Sequence, residues 1–218
     1  MDERNSRYEL QTARNGLSVP VIDGVYLHSI YNPTKEAATQ AKMHESSLKT
    51  KNYVLVLGLG FGYHIEEIAK ILNQYHAHYK IVILEPNETL VENFKQIRNF
   101  EDQNIRIYCA PVDELFESWE FINFLSHKPS LIKHDASYSL EHKYFKEFLE
   151  YKAPTSMESL QKLSNDDAYK LYLGRDEKNF IEAINTIKTG KSLLTNADFL
   201  FMALNEIKNI TYQGNNNE

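Results

Sequence analysis

The chain has 218 residues, of which 42% are hydrophobic and 25% charged, a size and composition that suit one compact α/β domain with a small helical addition. The net charge of −6 argues against nucleic-acid binding through bulk electrostatics, which needs a basic surface. Its single cysteine, Cys109, excludes an internal disulfide and agrees with a cytoplasmic location. The charged start MDERNSRYEL does not resemble a signal peptide, and no apolar run approaches the ~18 residues of a membrane helix.

The N-terminal region, residues 1–50, predicts a β-hairpin followed by a helix. Apolar side chains alternate over residues 17–29 around Asp23-Gly24, a dipeptide suited to a two-residue type I′ turn. Asn32 and Pro33 then predict the N-cap and first residue of a polar helix over 33–48.

Strands and helices are predicted to alternate in residues 51–153. The run at 53–57 is continuously apolar, as is typical of a buried strand in a parallel sheet, and the runs at 80–84, 105–109 and 130–134 predict a second, third and fourth strand. Apolar residues at helical spacing lie between the runs: Ile65, Ile68, Leu72 and Tyr75, then Leu90, Val91, Phe94 and Ile97 after a cap at Asn87. Helices are also predicted over 114–127 and 141–152. This order predicts an α/β fold with a Rossmann-like parallel sheet, of methyltransferase or sugar-nucleotide type.

The last part of the chain predicts a C-terminal helical segment, residues 154–210, and a disordered tail, residues 211–218. TGKS at 189–192 imitates a phosphate loop but lacks the first glycine, because Asn185 stands at that position. The run FLFM at 199–202 is apolar beyond one helical stripe. It would suit packing on the main domain, docking of a further domain or formation of a homo-oligomer.

The stretch YVLVLGLGFGYHIEEIAK places glycines where the first strand of the sheet passes into a helix. Gly58, Gly60 and Gly62 would let the backbone approach a ligand, and the free N–H groups of a helix starting near Tyr63 would attract an anion. Glu85, after the next strand, could accept hydrogen bonds from a ribose. We therefore predict nucleotide binding at this glycine turn (residues 58–62). The alternative is that the glycines only make a tight turn.

The spacing of the glycines separates the nucleotide classes. In the dinucleotide pattern G-x-G-x-x-G the third glycine would fall at Tyr63, so NAD and FAD are disfavoured. G-x-G-x-G with an acid after the second strand resembles class I S-adenosylmethionine-dependent methyltransferases. Val56 stands where that family usually carries an acid, and no clear catalytic motif follows the fourth predicted strand.

Further polar residues could line a ligand cleft. The loop that joins the hairpin to the helix either contacts a ligand or orders this corner of the chain, and it carries His28, Ser29, Tyr31 and Asn32. At the helix start, Tyr63 and His64 could bind a phosphate or carboxylate, or be solvated.

His134-Asp135 and Tyr138 follow the fourth predicted strand, and ligands of open α/β sheets bind beyond the carboxyl ends of the strands. No H-x-x-x-H or C-x-x-C pair occurs in the chain, so the local spacing predicts no metal site.

Four stretches together resemble the motility accessory factor family. LHSIYNPTKEA, VLVLGLGFGYHIEEI, IVILEPN and HDASYSLEHKYFKEFLEYK are similar, in this order, to the leader element, glycine turn, second strand and closing segment of its N-terminal domain. The match covers roughly residues 15–155.

The resemblance implies a role in flagellin glycosylation. Members of the family attach nonulosonic acids such as pseudaminic acid from a CMP-activated sugar to flagellin in the cytoplasm, with transfer ascribed to a central domain. This chain resembles the N-terminal domain alone. We therefore expect an accessory module without transferase activity of its own, with a nucleotide or nucleotide sugar, flagellin or a separate transferase domain as partners. Two alternatives stay open: a methyltransferase with S-adenosylmethionine as cofactor, and a docking domain without a small-molecule ligand.

Overall fold

The computed structural model of the protein describes residues 7–152. The chain divides into two compact units, Met1–Tyr151 and Lys152–Glu218. The predicted helical segment 154–210, its TGKS and FLFM runs, and the tail 211–218 lie outside the described residues, so the expectations about them stay predictions.

A small antiparallel sheet begins the described chain. Its strands are β1 (Tyr8–Thr12), β2 (Ser18–Ile22) and β3 (Val25–Tyr26), in the order β1-β2-β3. Asp23 and Gly24 both have positive φ, 49° and 80°, as a type I′ turn requires, which confirms the predicted hairpin. Strand β1 was not predicted, because YELQT has little apolar character and is largely exposed.

The helix predicted over 33–48 forms as two pieces, α1 (Pro33–Met43) and α2 (Glu45–Leu48). The Asn32 side chain accepts a hydrogen bond from the Lys35 amide at 2.9 Å, so its predicted role as N-cap is confirmed. The helix breaks at His44, which ends α1 and precedes α2.

The main sheet has four parallel strands in the order β6-β5-β4-β7. Their bounds are β4 Tyr53–Leu57, β5 Lys80–Leu84, β6 Ile105–Tyr108 and β7 Ser130–Lys133. The helices that follow or connect them are α3 Tyr63–Tyr75, α4 Glu88–Ile97, α5 Val112–Glu117, α6 Trp119–Ser126, α7 Asp135–Leu140 and α8 His142–Leu149. This arrangement confirms the predicted α/β class with a Rossmann-like parallel sheet.

Both faces of the main sheet are covered, which explains why its inner strands are continuously apolar. Val54 and Val56 of β4 join a core with α1, α3 and α4. Leu55 and Leu57 of the same strand point to the other face and join a core with α6 and α8. Tyr75 and Ile97, predicted on the apolar faces of α3 and α4, are the last residues of these helices and are 44% and 48% exposed.

Strand order decides where the functional residues meet. Because the strands are parallel, the residues that follow β4, β5 and β7 lie at one edge of the sheet. Gly58, Glu85 and His134 are therefore neighbours in space although they are far apart in sequence. Within residues 7–152, none of the helices has the length and apolar character needed to cross a membrane.

Candidate functional site

The glycine turn joins β4 to α3 through backbone conformations that favour glycine. Gly58, Gly60 and Gly62 all have positive φ, at 100°, 53° and 81°. Gly62 is left-handed at the N-cap position of α3, so no side chain caps this helix. The turn has the shape expected from its sequence.

Side chains of the same protein bind three consecutive amides of the glycine turn. The Leu59 amide donates to Glu85 Oε2 at 2.9 Å. The Gly60 amide donates to Ser137 Oγ at 3.3 Å, and the Phe61 amide to His28 Nε2 at 2.9 Å. Amides of this kind contact the ligand in nucleotide-binding turns. Here their hydrogen bonds are already made within the chain.

The glycines also leave no open space beside the turn. A Cβ added at Gly58 would lie 2.4 Å from Cβ of Ser137, and one at Gly60 would lie 2.6 Å from His28 Nε2. A Cβ at Gly62 would meet the ring of Phe94 at 2.7 Å. The glycines are therefore needed for close packing of the chain against itself.

Glu85 is buried, and its carboxylate points at protein backbone. Oε2 accepts from the Leu59 amide and Oε1 accepts from the Asn87 amide at 3.1 Å. Burial raises the pKa of Glu85 to about 7, although the two N–H donors act in the opposite direction. The acid predicted to hold a ribose thus links the end of β5 to the glycine turn.

Three histidines from distant parts of the chain form a buried cluster at the turn. His28 follows β3, His64 is in the first turn of α3, and His134 follows β7. Their ring centroids are 4.5 Å apart for His64 and His134, 4.8 Å for His28 and His134, and 5.8 Å for His28 and His64. A potential ligand atom on each ring lies within 4.8 Å of those on the other two.

All three imidazoles are held in the neutral form. Burial lowers the pKa of His64 to about 3, and the neighbouring His28 adds to this effect. Burial also lowers the pKa of His134 well below its ordinary value. It lowers the pKa of His28 as well, although Glu36 acts in the opposite direction. Neutral imidazole is the form that accepts a hydrogen bond or ligates a metal.

The hydrogen-bond partners of the three rings differ. His28 Nδ1 lies 3.5 Å from Glu36 Oε2, and His134 Nδ1 lies 2.9 Å from Ser137 Oγ. Neither ring nitrogen of His64 makes a hydrogen bond of good geometry, and the side chain is fully buried.

A cleft of about 820 Å³ lies beside α1, and several residues predicted as ligand-binding line it. They are His28, Ser29, Tyr31, Asn32, His134 and Asp135. The same cleft is lined by Lys35, Glu36 and Gln40 of α1, which sequence reasoning did not select. Both interpretations of Asn32 therefore have a structural counterpart, since it caps α1 and also lines the cleft.

Tyr63 and Tyr138 have packing roles in the structure. The Tyr63 hydroxyl donates to the Ser18 carbonyl at 2.8 Å, which ties α3 to β2, and Arg98 lies over its ring. The ring of Tyr138 stacks on Phe145 with centroids 5.4 Å apart. Ser137, which bonds to the glycine turn, was missed as a site residue. Its only signal was its place between His134 and Tyr138.

Comparisons with known proteins add solved structures of low similarity. No protein-family model matches the chain, and no curated protein matches it. Spermidine synthase from Thermotoga maritima is 19% identical over 51% of this chain, with a TM-score of 0.41. A spermidine synthase in complex with the transition-state analogue AdoDATO is 18% identical over the same share, with a TM-score of 0.40. The match spans only 39% of the length of each of these two proteins.

MnmC2 from Aquifex aeolicus is 13% identical, over 81% of both chains, with a TM-score of 0.35. At these identities and TM-scores, none of the three likenesses says anything about activity or substrate.

Proposed function

We propose that this chain is an accessory Rossmann-like module of the motility-accessory-factor type, which serves glycosylation of flagellin or another surface protein without transferase activity of its own. One observation carries the proposal that the module has no transferase activity: the glycine turn is closed by its own chain, which also favours the alternative of a docking domain without a small-molecule ligand. Three of its consecutive amides bind side chains, and the Cβ positions of its glycines are filled. Such a turn offers neither free donors nor space for a nucleotide.

The contacts that close the turn support the link to this family. They join residues from all four stretches on which the resemblance rests: His28, the turn itself, Glu85 and Ser137. The four stretches therefore meet at the glycine turn, and each contributes a residue to the contacts that close it.

The cleft beside α1 is the part of this region that remains accessible. Its walls combine a cation, carboxylates and amides, as in Lys35, Glu36, Asp135 and Asn32. Under this proposal, a sugar nucleotide or a polar segment of a partner protein would bind in the cleft and not over the glycine turn.

A methyltransferase is the second candidate, and the acid after β5 is the observation that favours it. To bind a ribose through its buried oxygens, Glu85 would have to release the amides of Leu59 and Asn87. Each buried donor left without a partner costs about 1–3 kcal/mol. The cofactor would have to supply that free energy and also open the turn.

The two candidates are separated by isothermal titration of the full chain with S-adenosylhomocysteine and, separately, with CMP. We expect no binding of S-adenosylhomocysteine. Micromolar binding that is lost in Gly60→Ala and kept in Gly24→Ala, where a Cβ meets open space, would replace the proposal with a methyltransferase. CMP binding that Lys35→Ala weakens would place a sugar nucleotide in the cleft.

The role in glycosylation has its own test in the source organism. Deleting the gene is expected to remove or reduce the sugar mass on flagellin or surface-protein glycopeptides, measured by mass spectrometry, and the wild-type gene should restore it. An unchanged glycopeptide profile would exclude this role.

A further inference from the structure

The proposed function uses one contact of the buried histidine cluster, the bond from the Phe61 amide to His28, and does not account for the grouping of the three rings. We propose that His28, His64 and His134 form a binding site for a divalent transition-metal ion, with Zn²⁺ as the ion that fits best.

The type and number of donors match this ion. Imidazole nitrogen is a preferred zinc ligand, and catalytic zinc sites combine three protein ligands with one open position. The donor atoms of the cluster lie within 4.8 Å of one another. Nitrogens at ~2.05 Å from a tetrahedral zinc are about 3.3 Å apart, so side-chain movements of about 1 Å would bring the rings into coordination.

His64 gives independent evidence for a ligand at the cluster. It is 0% exposed, and within residues 7–152 neither ring nitrogen has a hydrogen-bond partner of good geometry, although the Gly58 backbone is close enough to act against the lowering of the ring's pKa by burial. Buried polar groups in folded proteins almost always have a partner. A metal ion among the three rings would supply one to this side chain.

The other two rings have oxygens placed as they are beside metal ligands. Histidine ligands usually donate the N–H of the second ring nitrogen to an oxygen. Glu36 stands at Nδ1 of His28, so in the tautomer that this carboxylate favours Nδ1 carries the proton and Nε2 is left to bind the metal. His134 Nδ1 now accepts from the Ser137 amide at 3.3 Å, so binding of a metal at Nε2 of this ring requires the proton to move to Nδ1, where Ser137 Oγ stands ready to accept its hydrogen bond.

Glycine at position 60 lets the Nε2 atoms of His28 and His134 approach the same point, with no side chain of residue 60 between them. The Nε2 atoms of His28 and His134 lie 2.6 Å and 3.0 Å from the position that a Cβ of residue 60 would take. Both rings also line the cleft beside α1, which gives an ion a path from solvent.

Metal binding at Nε2 of His28 must displace a hydrogen bond, and this provides a direct readout. Nε2 of His28 now accepts from the Phe61 amide. A metal on that nitrogen releases the amide, so the proposal requires the Phe61 amide to change environment when the ion binds.

The test uses the full chain without an affinity tag, stripped with a chelator and then titrated with Zn²⁺ by calorimetry and with Co²⁺ by visible absorption. We expect one ion per chain and the absorption of tetrahedral Co²⁺. His64→Ala and His134→Ala should each lower the affinity by at least about 100-fold, and Glu36→Gln by about 10-fold. His78→Ala, which removes an exposed histidine outside the cluster, should leave the affinity unchanged.

Two results would overturn the proposal: no Zn²⁺ binding by the stripped wild-type chain, or wild-type affinity in His64→Ala. The wild type alone gives a third criterion should the histidine variants fail to fold. In ¹H–¹⁵N spectra at saturating Zn²⁺, a shifted Phe61 amide supports the site, and an unmoved one excludes it.

Discussion

Replacing Gly58 with alanine measures how tightly the glycine turn is packed against its own chain. The new Cβ would lie 2.4 Å from Cβ and 2.9 Å from Oγ of Ser137, at a φ of +100°. Backbone strain at positive φ costs ~1–2 kcal/mol, and overpacking of a core typically costs ~1–3 kcal/mol. We therefore expect the free energy of unfolding to fall by about 2–5 kcal/mol, a large share of the ~5–15 kcal/mol of a typical domain.

The assay is urea denaturation followed by circular dichroism, with Gly24→Ala as the matched control. Gly24 also has a positive φ, +80°, but a Cβ there meets no atom of residues 7–152 within 4 Å. The control should lose only the strain contribution, ~1–2 kcal/mol. Equal losses in the two variants would refute the argument, because the turn would then have room for a side chain.

A double-mutant cycle identifies the neighbour responsible. Ser137→Gly removes the two nearest atoms that the new Cβ would meet and leaves the Cβ of His134, at 3.2 Å. Combined with Gly58→Ala, it should show a favourable coupling of ~1–3 kcal/mol. Additive effects would mean that Ser137 does not set the limit.

Three further predictions concern stability. The folded-state pKa of Glu85, about 7 against 4.5 ordinarily, means that its contribution is fully present below pH 4.5 and is lost as the pH rises through 7. Wild type should therefore lose about 3 kcal/mol relative to Glu85→Gln over this range in pH-dependent urea denaturation, and a pH-independent difference would contradict the assignment. Asn32→Ala should lower the free energy of unfolding by ~1 kcal/mol, because the α1 cap is lost, whereas Asn32→Asp should retain most of the stability of the cap. Equal losses of stability in the two variants, measured by thermal denaturation, would count against the cap. Tyr63→Phe should cost ~1 kcal/mol in urea denaturation, because it leaves the Ser18 carbonyl without its donor, and an unchanged midpoint would show that this bond contributes nothing.

Local patterns in the sequence were sufficient for most of the main sheet. The bounds of β4 and β5 are those predicted, because a strand buried on both faces is apolar throughout. Asn32 and Asn87 were identified as helix caps because the capping bond lies within three residues. Strand β1 escaped prediction because its pairing with β2 depends on backbone bonds and not on an apolar pattern.

The candidate site could be located from the sequence, but not its internal contacts. The glycine pattern placed a turn after β4, and the strand-end rule placed Glu85 and His134 near it. The hydrogen bond from the Gly60 amide to Ser137 Oγ joins residues that are 77 positions apart in the sequence, and it forms only when the fold brings them together. The histidine cluster was missed for the same reason, since spacing rules find only ligands that are close in sequence.

The pairing of β4 with β7 also fixes the order in which this site can be assembled. Val54 pairs with Ser130, and the segments that carry β5 and β6 lie between them in the chain. During synthesis, the last of these strands leaves the ribosome well after the glycine turn. Until it docks, the Gly60 amide has no hydroxyl acceptor and two of the histidines lack the third ring. The site therefore cannot be complete before β7 docks, and its formation reports that the last strand of the described sheet is in place.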